Sequence, residues 1–209
     1  MLPKKAIVSV YRYGRRGGFG NWNAYLHGMY ALGFDIGSSS IKVAILNLET
    51  RKMEADAFSL KNEMTITAVK AGWAEQDPSM WWEKLKQAIS EALASVPYSR
   101  DQIIAIGISY QMHGLVVVEK QKRVHRSSII WCDSRAVEIG QKAFSALGPV
   151  QCFSSLLNSP GNITASKLCW LKENELKIFE KIDKFLLPSD YIATFDGKEL
   201  ASGNYLYRL

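Results

Sequence analysis

The chain has 209 residues, enough to bury a proper core in one domain or somewhat more. Its composition, 47% hydrophobic and 22% charged, is that of an ordinary soluble globular protein, and no apolar run approaches the roughly 20 residues needed to span a bilayer. The net charge of +6 is local: Lys4, Lys5, Arg12, Arg15 and Arg16 stand in residues 1–30 with no acid among them, which leaves the body nearly neutral and without the basic stripe of a nucleic-acid binder.

Residues 1–30 read as a basic extension, disordered or non-native, outside the fold. Arg15-Arg16-Gly17-Gly18-Phe19-Gly20 has the chemistry to meet single-stranded nucleic acid or anionic lipid. The acid-free composition also fits a mitochondrial-type presequence, although the glycines oppose a helix.

Three strands are predicted next, at 31–36, 41–48 and 54–60, the first two joined at Gly37-Ser38-Ser39-Ser40. Apolar runs on both sides of this turn make it a β-hairpin. Asp35 precedes the turn and Lys42 follows it, so backbone N–H groups, three hydroxyls and an ammonium gather at one tip. Such a tip can cradle phosphate oxygens, because glycine admits close backbone approach and hydroxyls give short donors. Asp35 adds a carboxylate able to hold Mg²⁺ through water. The G-x-x-x-x-G-K-[ST] loop is absent. The same residues also make an ordinary turn with serine caps, and by themselves they do not decide between the two.

Asp77 as N-cap and Pro78 at the first helical position start a helix that runs to about Val96, where Pro97 stops it. Trp81, Leu85, Ile89 and Leu93 recur four apart on its apolar face. Ile103–Tyr110 and Leu115–Glu119 read as strands joined by Gln111-Met112-His113-Gly114. A short strand at Ile129–Trp131 is followed by a helix through about Ala146, and helical spacing returns at Thr164–Glu175 and Leu176–Ile182. Phe185-Leu186-Leu187 reads as buried. Gly197–Leu209 holds strand-like pieces with no closing element, read as a truncation. This order argues an α/β sheet with helices packed on it. The three cysteines, Cys132, Cys152 and Cys169, are widely spaced without a C-x-x-C, which points to a reducing, cytoplasmic setting without a disulfide framework or zinc site.

Seven segments in order resemble the FGGY carbohydrate kinase family: Asp35–Lys42, Gly72–Pro78 with Trp81-Trp82, Ile106–Gly114, Ile130–Arg135, Gly161–Leu168, Trp170–Glu175 and Leu187–Tyr191. The Gln-Met-His-Gly and Trp-Ala-Glu-Gln-Asp-Pro segments look most like the family's xylulokinases. The resemblance implies an actin-like (ribonuclease-H-like) fold. Residues 31–209 would then form an incomplete N-terminal, sugar-binding domain with a mixed sheet and flanking helices, and the C-terminal nucleotide domain would be absent. It also implies ATP and Mg²⁺ as cofactors and a small-molecule sugar, D-xylulose, as the partner phosphorylated to D-xylulose 5-phosphate. Neither nucleic acid nor membrane is expected, and a homodimer stays open. A kinase for another ketose, polyol or aldonate, and a non-catalytic sugar-binding or interaction module, are the alternatives.

By position in the resemblance, Asp35 corresponds to the aspartate at metal and phosphates. Gly37, Ser38, Ser39, Ser40 and Lys42 lie near the transferred phosphoryl group, and Met112 and His113 contact the sugar. Trp73, Trp81 and Trp82 have a sugar-stacking reading and a packing one. Two departures stand out. Trp131-Cys132-Asp133 replaces the usual Trp-Asn-Asp, and a thiol cannot supply an amide's hydrogen bonds; Asp133 and Arg135 either serve the sugar or pair with each other. The family's general base, an aspartate in a glycine-rich segment downstream of Leu187-Pro-Ser-Asp-Tyr191, is not found before Leu209. Asp190 belongs to that motif as a helix cap. The polypeptide is therefore expected to be a fragment without a useful catalytic rate.

Overall fold

The computed structural model describes residues 9–12, 27–58, 63–97, 100–121 and 123–194. They divide between two compact units, one built from residues 1–64, 81–110 and 199–209, the other from 65–80 and 111–198.

Strict alternation organises the first unit. Its strands are β1 (Ser9–Arg12), β2 (Tyr30–Ile36), β3 (Ile41–Asn47), β4 (Met53–Phe58) and, later in the chain, β6 (Ile103–Tyr110); they lie in the order β1-β6-β2-β3-β4. The β2–β6 pairing is parallel and the others antiparallel, so the sheet is mixed. Leu32, Phe34 and Ile36 oppose Ile45, Val43 and Ile41 on a buried face. Gly33 and Asp35 oppose Ala44 and Lys42 on the other face. A period of two separates the faces. The helix of this unit, α1 (Pro78–Ala94), buries Trp81, Leu85, Ala88 and Ala92 completely. A strict four-residue row drifts around a helix of 3.6 residues per turn, which is why Ala88 and Ala92 take the inner positions and Ile89 and Leu93 sit beside them, half-buried. Asp77 accepts from the Ser79 N–H at 2.9 Å, as an N-cap should.

The expectation that residues 1–30 lie outside the fold needs correction at two places. Ser9–Arg12 pairs antiparallel with β6 from Ser9↔Ile108 to Arg12↔Ala105, and Tyr30 is a buried residue of β2. The composition of the arm sets its charge, but the ladder uses backbone groups, and without β1 the strand β6 would be an edge with an open row of them. Residues 1–8 and 13–26 of the arm lie outside the described residues, as do Asp196 and Gly197–Leu209.

The second unit packs small sheets against helices. The strand β5 (Glu75–Gln76) pairs with β8 (Ser128–Ile129), and β7 (Val116–Val118) with β9 (Lys184–Leu186). Its helices are α2 (Val137–Leu147), α3 (Pro149–Ser155), α4 (Thr164–Asn174), α5 (Leu176–Phe179) and α6 (Pro188–Thr194). Leu115, Val117, Ile129 and Leu171 form the core, with Leu168, Trp170, Ile178, Phe179 and Ile182 packed around it. Two expectations change here. Phe185 is 56% exposed, because alternation along β9 turns it away from the core. The strand expected at Ile129–Trp131 is shorter and starts one residue earlier: it pairs with the two-residue β5 and meets Leu115 in a single bridge at Ile129. No helix among the described residues is long and apolar enough to cross a membrane.

Candidate functional site

In the first unit the β2–β3 ladder closes at Ile36↔Ile41, so Gly37-Ser38-Ser39-Ser40 is a four-residue tip. Gly37 N–H donates to the Ser40 carbonyl at 3.1 Å, and a β-carbon on Gly37 would stand 2.8 Å from that same oxygen. Only glycine closes this turn without displacing the backbone. Met64 N–H donates to the Ser39 carbonyl at 3.1 Å, which holds the tip from outside. Asp35 is directly opposite Lys42 and beside Ser109 of β6. Among the described residues, neither Asp35 nor Lys42 takes a hydrogen bond or ion pair with its side chain. Asp35 is half-buried and Lys42 exposed.

The fit to Mg²⁺ follows from this donor set. No cluster of three or more His, Cys, Asp or Glu among the described residues could cage a metal. A single uncommitted carboxylate beside a donor-rich tip instead suits an ion that keeps most of its waters and takes its other ligands from phosphates. Asp35, Gly37, Ser38, Ser39, Ser40 and Lys42 thus come together on one hairpin.

Met112 and His113 come together in the second unit, on the turn that follows β6. Met112 is 51% exposed. His113 has a backbone φ of 62°, in the left-handed region that residues with a β-carbon rarely occupy. Burial lowers the imidazole pKa below its ordinary 6.5, and the nearby Lys167 lowers it further, so the ring is neutral at neutral pH. A neutral imidazole can both donate to and accept from hydroxyl groups.

The helix α4 and the start of α6 hold this turn. A β-carbon on Gly114 would come 2.6 Å from Pro188 Cγ, so the glycine and the start of α6 need each other. The Thr164 hydroxyl donates to the Gly114 carbonyl at 3.3 Å. Lys167 Nζ donates to the carbonyls of His113 at 2.7 Å and Asn162 at 3.2 Å. Asn162 Nδ2 in turn donates to the carbonyl of Trp131, whose ring is 49% exposed. Residue types and spacing gave no role to Trp131, Asn162 or Lys167; an asparagine and a lysine at the start of a helix look like surface residues until their burial is known.

The remaining candidates are structural. Asp133 has no exposed surface; it accepts from the Ala74 N–H at 2.6 Å and from the Arg135 guanidinium at 2.7–3.0 Å. Arg135 lies over Trp73, 3.8 Å from the ring centroid, and Trp73 meets Trp170 edge-on at 5.3 Å. Trp73 and Trp81 therefore pack, and Asp133 pairs with Arg135. Cys132 is exposed. Asp190 accepts from the Leu187 N–H at 3.1 Å, the reach-back of a capping box, and burial raises its pKa.

The N-terminal domain of the FGGY family of carbohydrate kinases matches residues 30–195. The chain is 34% identical over 171 residues to the xylulose kinase of Escherichia coli (strain K12), covering 82% of this chain and 34% of that protein. With the xylulose kinase of Bacillus subtilis (strain 168) it is 30% identical over 168 residues, covering 78% and 32%. A crystal structure of a xyloylose kinase from Brucella ovis superposes with a TM-score of 0.71 at 32% identity, over 79% of this chain and 33% of that one. A gluconate kinase from Lactobacillus acidophilus shares the fold, with a TM-score of 0.69 at 24% identity over 79% and 33%. The chain spans about a third of the length of the curated relatives it matches.

Proposed function

The chain belongs to the FGGY family of carbohydrate kinases, and on that footing we propose that it carries the sugar-recognition part of an ATP-dependent kinase for D-xylulose. The observation that supports this most is the turn at 111–114: a neutral imidazole and an exposed thioether stand on one turn that α4 and the start of α6 fix. Apolar surface next to a few aimed hydrogen-bonding groups is what sugar binding requires. The names of the relatives support xylulose as the sugar.

In this reading His113 bonds a sugar hydroxyl in its neutral form, and Met112 packs on the carbon skeleton. The Gly37–Ser40 tip and Lys42 take the oxygens of the transferred phosphoryl group, and Asp35 holds Mg²⁺ through water. The ion, when bound, neutralises the phosphate charge that Asp35 would otherwise repel. Phosphoryl transfer depends on positioning and charge compensation, so a rigid hairpin and a rigid turn are the parts it needs from this region. In this reading the region binds the sugar in a cytoplasmic setting.

Calorimetry of the 209-residue chain with D-xylulose, D-gluconate and glycerol tests this reading. Binding of D-xylulose in preference to the others is expected. Preference for gluconate or glycerol would move the assignment to an aldonate or polyol kinase, and no heat with any sugar at millimolar concentration would overturn it.

A further inference from the structure

One cation holds the turn that presents Met112 and His113. Lys167 lies in α4 with no exposed surface, and its ammonium meets two neutral carbonyls, those of His113 and Asn162. Burial is the largest influence on it and lowers its pKa from 10.5 to about 8; Asp133 and Cys132 favour the charge, and Arg135 opposes it. A methionine would fill similar space without desolvating a charge, so packing alone does not explain a lysine here. What the lysine adds is a pair of donors at a backbone that would not stay in place unaided. His113 holds its left-handed φ of 62° only if its surroundings fix it, and the shorter of the two Lys167 bonds is to its own carbonyl. Through Asn162 the same clamp reaches the Trp131 carbonyl.

We propose that Lys167 is a positioning residue for sugar phosphorylation: by drawing the carbonyls of His113 and Asn162 onto one ammonium, it fixes the backbone of His113 and aims the imidazole and Met112 at the substrate. The proposal rests on the reading that Met112 and His113 meet the sugar.

The test uses the 209-residue chain and its Lys167→Met variant, with D-xylulose affinity and NMR of the His113 ring and of residues 111–114 as readouts. In the variant, affinity is expected to fall at least about tenfold, as for loss of a geometric constraint on a binding group. The His113 pKa should move up toward 6.5, because a neighbouring cation is gone. A variant that binds within twofold of the parent, with unshifted resonances at 112 and 113, overturns the proposal. Should the variant not fold, the backbone carbonyl resonance of His113 is followed with pH in a Cys132→Ser chain. Asp133 and Arg135 are the other charged groups near the ammonium, and the imidazole, with its pKa below 6.5, has completed its titration below this range. A midpoint near 8 supports the clamp, and a flat carbonyl shift from pH 7 to 10 overturns it. If the parent itself binds no D-xylulose, the functional reading fails, while the two NMR measurements still decide whether Lys167 sets the turn.

Discussion

Asp133 and Arg135, two residues apart, close an ion pair from which water is excluded: the carboxylate side chain is fully buried and the guanidinium is 1% exposed. Both carboxylate oxygens are engaged, since Oδ2 also accepts the Ala74 N–H and Oδ1 the Arg135 N–H. Arg135 further contacts Glu75 at 2.7 Å, and Glu75 and Glu175 both bind Arg126. The pair ties the 72–76 segment to the 131–135 loop, and that loop carries the exposed Trp131.

Asp133→Asn leaves Arg135 buried and its charge under-compensated, and should lower stability by about 3–5 kcal/mol. Denaturant unfolding measures the change. The double variant Asp133→Asn/Arg135→Met should lose less than the sum of the two single variants, because the second substitution removes the charge that the first leaves stranded. Additive losses would mean that the two side chains act independently.

Gly114→Ala places a methyl group against Pro188, 2.6 Å from Cγ. Overpacking of this kind costs about 1–3 kcal/mol. The strain should appear locally, as shifted amide resonances at 112–114 and 188–191, and D-xylulose affinity should fall together with the melting temperature.

Between neutrality and pH 6.5 sugar binding should be flat, and below that it should fall. The folded-state pKa of His113 is below 6.5, so the unfolded chain takes up the proton first. The stability and affinity that depend on neutral imidazole are complete above pH 6.5 and are lost as pH drops through the lower folded-state value. Calorimetric titrations from pH 8 to 5 check this, and the acid loss should be absent from His113→Asn, whose side chain also tolerates the left-handed backbone.

Lys167 imposes a pH dependence of the same sign on stability, in an alkaline window. Its pKa falls from 10.5 unfolded to about 8 folded, so between those values the unfolded chain binds more protons and stability rises with pH. Relative to Lys167→Met, the parent should gain stability from pH 8 to 10, measured by denaturant midpoints at each pH.

Mn²⁺ in place of Mg²⁺, added with ATP, should broaden the resonances of residues 35–42 beyond those elsewhere in the first unit. Chelation should reverse the effect, and Asp35→Asn should reduce it at least several-fold, since the carboxylate supplies the protein's share of the ion's binding.

Much of the fold was legible because it depends on periods. The apolar pattern at 31–36 and 41–48 and the Asp77-Pro78 helix start are local signals, and both are realised, the strands within one residue at an end. The hairpin tip was legible for the same reason, since Gly37 is required within four residues of the chain. Lys167 was not, because its significance lies in bonds to His113, 54 positions earlier, and no local pattern separates a buried lysine from an exposed one. β1 was missed because backbone pairing is indifferent to the charge that made residues 1–30 look separate. Residues 149–155 were missed because their apolar positions do not face the core: Val150 is 82% and Phe153 54% exposed.

The left-handed backbone at His113 makes the two neighbours unequal in what variation can do to them. Replacing His113 with most side chains would disturb the geometry of the main chain as well as the ring, while Met112, half in solvent, can change without that penalty. A lineage drifting toward a different sugar would therefore be expected to change at 112 well before 113.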